Sequence, residues 1–525
     1  MTDPVFDSAG EEAATPPPAD LQAIFAWLAT PPAARADDDL PLLRAHLAAL
    51  RDAAGSPQER ARALDILYAR CMALVGQLTP SLSAVELPVP RRTRQTVRGT
   101  QAALQLLAAQ LRDEPAAGET AHGDAHDLHD PPEQRLWRCL NVLSRHLLIS
   151  HLVAAPAGVG IWQQLHAAYA AARRLRLAEK TPEGERCTLQ HVYYAAVLIG
   201  CAQPSAFTPR EIDFIAAYLE RFADEVEPLA GGGGAQIADA AEAMEVGDDP
   251  GGLFWIDPLR DAAGFAWARK PPAPETQALL FSCDRLAALL RRQLAALDAG
   301  QTPQQIGLPA LAASAAGRGV LRRLAGYWGS PLKRRFQRRR QNYRAVLCCG
   351  LDKLWHLLRD GHDSAAEVSN WMITNESPDG FALMHVAGKT GKLAVGDVAA
   401  IRTEAGKGWQ ICIARWALSD NPEHFELGLQ ILAPRALPAQ VAQFGPDGAS
   451  GPPPQLLPAL LLPRLPPLRE TETLIVPSDR IPAPPAKLVL VLEQENVAVR
   501  EVRTTRLEEQ TASIETYAIQ PDAGP

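Results

Sequence analysis

The hydrophobic pattern of this chain changes period partway along its length, and that change dictates an architecture of two unlike parts. Before about residue 330, apolar side chains recur at helical spacing. Segments 21–28, 40–50, 58–78 and 94–111 each read as amphipathic helices, and 134–154, 160–178 and 189–201 continue the pattern. Thr208 as N-cap, followed by Pro209 in a first turn, opens another helix to about Val226. Segment 275–297 adds one more. After residue 340 the period becomes two. Segments 409–416 and 425–431 alternate, 370–374 and 381–386 flank a Pro-Asp-Gly turn, and 395–402 is a further strand. The Gly406 to Gly408 stretch reads as a hairpin turn. Short strands at this spacing predict a small antiparallel barrel.

The expected fold class is multidomain α + β, an N-terminal all-helical bundle followed by a C-terminal antiparallel β-barrel. A chain of 525 residues is too long for one hydrophobic core. Residues 1–20, acidic and Pro-rich, read as a disordered N-terminus, and 21–330 as the helical region. The barrel with its arginine-rich approach spans 331–444, a Pro- and Leu-rich linker 445–470, and a last β-element with its tail 471–525. Within the helical region, 113–130 reads as a polar loop and the run Gly231 to Gly234 as a hinge. Segment 251–257 could form a short strand. No repeat period is evident, so a bundle is expected rather than a solenoid.

Bulk chemistry excludes several classes. The net charge of −8 argues against a general nucleic-acid binder, which would carry a basic excess. The eight cysteines are scattered without a Cys-x-x-Cys pair, as expected for reduced thiols in a cytoplasmic protein. The N-terminus lacks the basic and apolar regions of a secretory signal. The most apolar window, 456–468, is broken by prolines well short of the roughly 20 residues a spanning helix needs, so no transmembrane segment is expected.

Two features flank the change of period. The first is the basic tract 333–344 (KRRFQRRRQNYR), with seven cations, ending in Arg340-Gln-Asn-Tyr-Arg344. The second is Asn375-Glu-Ser377-Pro-Asp-Gly380. The planar guanidinium forks of Arg340 and Arg344 suit phosphate oxygens and guanine edges, on which arginine also stacks. Asn375 and Ser377 alternate on a strand and share a face, offering an amide, a carbonyl and a hydroxyl. Asp379-Gly380 has the composition of a hairpin turn, where Gly380 can take a positive φ and let a ligand approach. Arg334 with Arg338, and Arg335 with Arg339, have the same spacing, but only Arg344 leads directly into the apolar segment 345–349.

In this order, R-x-x-x-R followed by [D/N]-x-S-x-x-G, the two features resemble the ligand motif of the PilZ family, and strand 426–431 resembles that barrel's closing strand. The resemblance covers about 338–433, under a fifth of the chain. It implies cyclic di-GMP as ligand, gripped by Arg340 and Arg344, with Asn375, Ser377 and Gly380 completing the floor and Arg339 as an auxiliary contact. It implies a receptor rather than an enzyme, with no cofactor beyond the ligand. The helical region would then be a scaffold for a protein partner that the sequence does not name. It is unlike the β-rich partner domain of the family's flagellar-brake members, so the resemblance does not imply motility control by that route.

Other patterns carry less. His122, Asp124, His126, His129 and Asp130 cluster in a polar stretch, which reads as a linker rather than a metal site. Trp137, Trp162, Tyr169, Tyr193 and Tyr194 read as helix core. No Walker loop, Rossmann fingerprint, nucleophile elbow or His-Glu-x-x-His occurs in a supporting context, nor do the sequence motifs of enzymes that make or degrade cyclic di-GMP. The competing reading is a scaffold that binds nucleic acid or an anionic membrane through 333–344, with a purely structural barrel.

Overall fold

The computed structural model describes residues 21–33, 35–112, 131–229, 251–273, 276–331, 336–360, 367–390, 393–406, 408–421, 424–442, 456–466, 469–493 and 497–522. The first part is built from Leu21–Leu28 (α1), Ala36–Ala49 (α2), Pro57–Ser83 (α3), Arg91–Arg112 (α4), Pro132–Leu152 (α5), Ile161–Arg174 (α6), Leu189–Cys201 (α7) and Pro209–Phe222 (α8). Local chemistry sets where several of these begin. Ser56 and Glu59 form a capping box at the start of α3, and Thr208 and Glu211 form one at α8, each with Pro in the first turn. The expected Thr208 cap is therefore present. The tyrosines expected in the core are there, with Tyr169 stacked on Tyr193 at 3.8 Å between ring centres.

The helical region also carries a small sheet. Glu227–Pro228 (β1), Leu253–Ile256 (β2), Phe265–Ala266 (β3) and Leu279–Ser282 (β4) pair in the order β1-β4-β2-β3. The helix expected over 275–297 consequently starts later, at Asp284–Asp298 (α9), because residues 279–282 are paired with β2. Helix Ala315–Gly329 (α10) follows.

Strand Arg339–Cys349 (β5) opens the first barrel. After it come helix Leu351–Asp360 (α11) and strands Val368–Ser377 (β6), Gly380–Ala387 (β7), Val398–Thr403 (β8), Gln410–Asn421 (β9) and His424–Ala433 (β10). They close in the order β10-β7-β6-β5-β8-β9. Trp371, Ile373, Phe381, Leu383, Leu427 and Leu429 fill the interior. A second closed barrel follows, made of Leu437–Ala442 (β11), Leu457–Leu462 (β12), Glu472–Pro477 (β13), Lys487–Glu493 (β14), Val497–Gln510 (β15) and Ile514–Pro521 (β16), in the order β11-β12-β13-β16-β15-β14.

The Pro- and Leu-rich stretch read as linker thus contains a strand, β12. Its Ala459 and Leu461 face the second barrel's own core, while Leu460 and Leu462 face the seam between the barrels. A strand buried on both faces reads as an unbroken apolar run and shows no alternation. Likewise, β13 to β16 close only with the help of β11 and β12.

Helix α11 plugs that seam. Leu351, Leu354 and Leu357 pack between Val398, Ala400, Ile411 and Ile413 of the first barrel and Leu460, Leu462, Ile475 and Ile514 of the second. The Trp355 indole N–H donates to Ala439 O at 2.7 Å. The first barrel docks on the helices through Arg94, whose guanidinium donates to Ser419 O at 2.7 Å and to Ser419 Oγ at 2.8 Å. The Ser419 amide donates to Ala154 O at 2.8 Å.

Candidate ligand-binding site

The outer face of the first barrel gathers the motif residues through strand register. On β7, residues 380, 382 and 384 alternate onto the same face. Gly380 pairs with Ser377, Ala382 with Asn375, and Met384 with Met372. On the far side of β6, Asn375 pairs with Arg340 and Met372 with Arg344. Arg340, Arg344, Asn375, Ser377 and Gly380 therefore lie on one surface. Arg339, opposite Glu376, belongs to the neighbouring register position. Arg339, Arg340 and Arg344 are exposed and Asn375 is half-buried.

β-Bulges make this register possible. One shifts the pairing between Arg340 and Tyr343, another between Ile373 and Asn375, and a third between Gly428 and Leu429. Each adds a residue to one strand, bends it and re-aims side chains, as bulges beside binding sites commonly do. On the inward side of the same rim, the Tyr343 hydroxyl donates to Glu376 Oε2 at 3.0 Å. Burial, reinforced by that carboxylate, pushes the Tyr343 phenol up to about 12, so it stays protonated as a donor.

The turn differs from expectation. The two-residue loop is Pro378-Asp379, with Gly380 already the first residue of β7. Gly380 does not adopt a positive φ. Its lack of a side chain matters because a Cβ there would collide with the Leu429 carbonyl oxygen. Gly428 is constrained similarly, since a Cβ there would run into the indole of Trp416. The Ser377 hydroxyl donates to Asp379 Oδ1 at 2.6 Å and lies 3.2 Å from Gly380 O, which fixes the turn.

Beside this face is a cleft of about 640 Å³. Ser377, Asp379, Gly380, Trp416, Gly428 and Gln430 form its barrel wall, and Gln203, Ser205, Ala206 and Tyr327 of the helical region form the opposite one. Phe336 and Arg338, on the approach to β5, contribute as well. The helical wall is held firmly. Arg323 donates to Ala206 O at 2.9 Å, pairs with Glu211, and lies over the Phe207 ring at 4.3 Å. Gln203 holds a left-handed backbone, φ 60°, a conformation that costs a non-glycine residue about 1 kcal/mol or more.

Of the motif residues, Ser377 and Gly380 line this cleft, while Arg339, Arg340, Arg344 and Asn375 extend the same barrel from outside its walls. Sequence reading missed Trp416, Asp379, Gln430 and Arg415 on the barrel, and Gln203, Ser205 and Tyr327 on the helices. Trp416 stood in an alternating strand, a readable signal. The helical residues carry no local signal, because only tertiary packing brings them there. Lys333, Arg334 and Arg335, Gly231 to Gly234, and the cluster His122, Asp124, His126, His129 and Asp130 lie outside the described residues. Among the described residues no group of His, Cys, Asp and Glu could hold a metal ion, and no helix is long and apolar enough to cross a membrane.

Comparison with known proteins separates the parts of the chain. Residues 22–231 match the family model described as the N-terminal domain of the cyclic-di-GMP receptor FimW, and 358–438 match its middle PilZ domain. The second match contains Asn375, Ser377 and Gly380, while Arg340 and Arg344 precede it. The chain is 21% identical over 421 residues to the cyclic-di-GMP receptor FimW of Pseudomonas aeruginosa, covering 65% of each. No solved structure matches the chain. The helical region and the first barrel are thus similar, in that order, to the N-terminal and PilZ domains of one family of cyclic-di-GMP receptors.

Proposed function

We propose that this chain is a receptor for cyclic di-GMP, bound on the outer face of the first barrel and in the adjoining cleft. The observation that carries this reading is the strand register that sets Arg340 opposite Asn375 and Ser377 opposite Gly380 beside a cavity of ligand size. Arg340 and Arg344 are the phosphate and guanine ligands, because among the described residues neither side chain makes a hydrogen bond or ion pair and both are exposed on that face. Asn375 and Ser377 read a guanine edge. Asp379 accepts from the guanine Watson–Crick edge, whose N1–H and N2 amino donors match the two oxygens of a carboxylate. Trp416, Tyr327 and Phe336 offer ring faces for stacking.

Because the cleft has one wall on the barrel and one on the helical region, occupancy bears on how these two parts meet. In this reading residues 21–330 present a surface to a protein partner, and the ligand shifts its disposition. The reading assigns a binding role and no chemical step.

Titration calorimetry of the full chain with cyclic di-GMP tests it. Binding at about 1 μM or tighter, near −8 kcal/mol, is expected. Arg340→Ala and Ser377→Ala should each weaken it, Arg340→Ala by about 10-fold or more through loss of a charge-assisted contact. Absence of binding by the unaltered chain, in calorimetry and in equilibrium dialysis alike, would refute the reading.

A further inference from the structure

Arg415 belongs to the ligand-facing cleft and to the contact between the two barrels at once. It is the extra residue of the β9 bulge, since Ala414 pairs with Leu429 and Trp416 with Gly428. The bulge turns its guanidinium along the cleft wall, where Nε donates to Gln430 Oε1 at 2.6 Å. The far end of the same guanidinium reaches the second barrel, with Nη2 2.8 Å from Glu509 Oε2 on β15. Both side chains are partly accessible, 35% for Arg415 and 24% for Glu509, so solvent screens the pair and its worth is modest. A ligand phosphodiester entering the cleft presents anionic oxygens that the same guanidinium can bind with two parallel hydrogen bonds, as it can a carboxylate.

From this geometry we propose that Arg415 is a further ligand-binding residue that exchanges Glu509 for a ligand phosphate. Binding in the cleft thereby releases an ion pair that joins the first barrel to the second. The inference rests on the cyclic di-GMP reading and deepens it, giving the second barrel a role in setting affinity. Glu509 competes with the ligand for one cation, and by linkage the ligand competes with Glu509 for its hold on the first barrel.

The test is cyclic di-GMP titration of the full chain carrying Arg415→Gln, Glu509→Gln, or both. Arg415→Gln is expected to weaken binding by about 10-fold or more. Glu509→Gln is expected to tighten it by about 2- to 5-fold, the range of a partly exposed ion pair. The double variant should match Arg415→Gln alone, because the gain from removing Glu509 requires Arg415. A structural pair would instead give loss, or no change, in both single variants. Unchanged or weakened binding in Glu509→Gln, or a gain that persists without Arg415, overturns the exchange while leaving the receptor reading intact. Failure of the unaltered chain to bind overturns both.

Discussion

At the scale of single residues, the candidate site rests on two glycines that permit close approach and on cations left exposed. Gly380 sits where any Cβ meets the Leu429 carbonyl, so Gly380→Ala must push β7 from β10. A cost of about 1–3 kcal/mol in unfolding free energy is expected, read as a lower denaturant midpoint. The same change should weaken ligand binding, since the rim that carries Ser377 moves with it. The motif around these residues was legible because its chemistry is local: arginines at a fixed spacing, then an amide, a hydroxyl and a glycine. The reason for the glycine was not legible, because it depends on β10, about fifty residues later in sequence. Far from the site, His146 is 1% exposed, and burial drives its imidazole down to about 4. The unfolded chain takes up that proton near the ordinary value of about 6.5 and the folded chain only near 4. This contribution to stability is therefore complete above pH 6.5 and is lost as the pH falls toward 4. Denaturant titrations across that range should show a decline that is shallower in His146→Gln, a variant less stable at pH 7.

At the scale of elements, legibility follows burial. Helices with one exposed face announced themselves by period, and α8 announced its start by Thr208 and Pro209. Strands with one face on a core announced themselves too, such as β9 and β10. Strand β12, buried on both faces in a Pro-rich apolar run, did not. Helix α11 is amphipathic, with Asp352 and His356 exposed, and escaped because its ten residues lie in a short segment between strands, yet together the two elements form the seam of the barrels. Leu460 is fully buried there, so Leu460→Ala is expected to cost about 2–5 kcal/mol. Chemical denaturation would check this, and a loss under 1 kcal/mol would mean that the seam is loosely packed. Of the small sheet, β2 falls within the expected segment 251–257, while β1, β3 and β4 escaped, since strands of two to four residues are too short to establish a period.

At the scale of the whole molecule, the helical region, the first barrel and the second barrel meet around one cleft. Arg94 fastens α4 to β9, the 203–206 turn supplies a wall, and Arg415 reaches from the cleft to β15. No single segment of sequence contains this arrangement, because contacts such as Arg94 to Ser419 join residues more than 300 positions apart. In the proposed complex the ligand occupies the space between the helical wall and the motif face of the first barrel. Amide hydrogen exchange of the full chain, with and without saturating cyclic di-GMP, tests that placement most directly. Slowed exchange is expected at 338–344, at 375–381 and, across the cleft, at 203–206 and around Tyr327. Saturable binding that left these segments unchanged, or that protected only segments elsewhere on the chain, would contradict it.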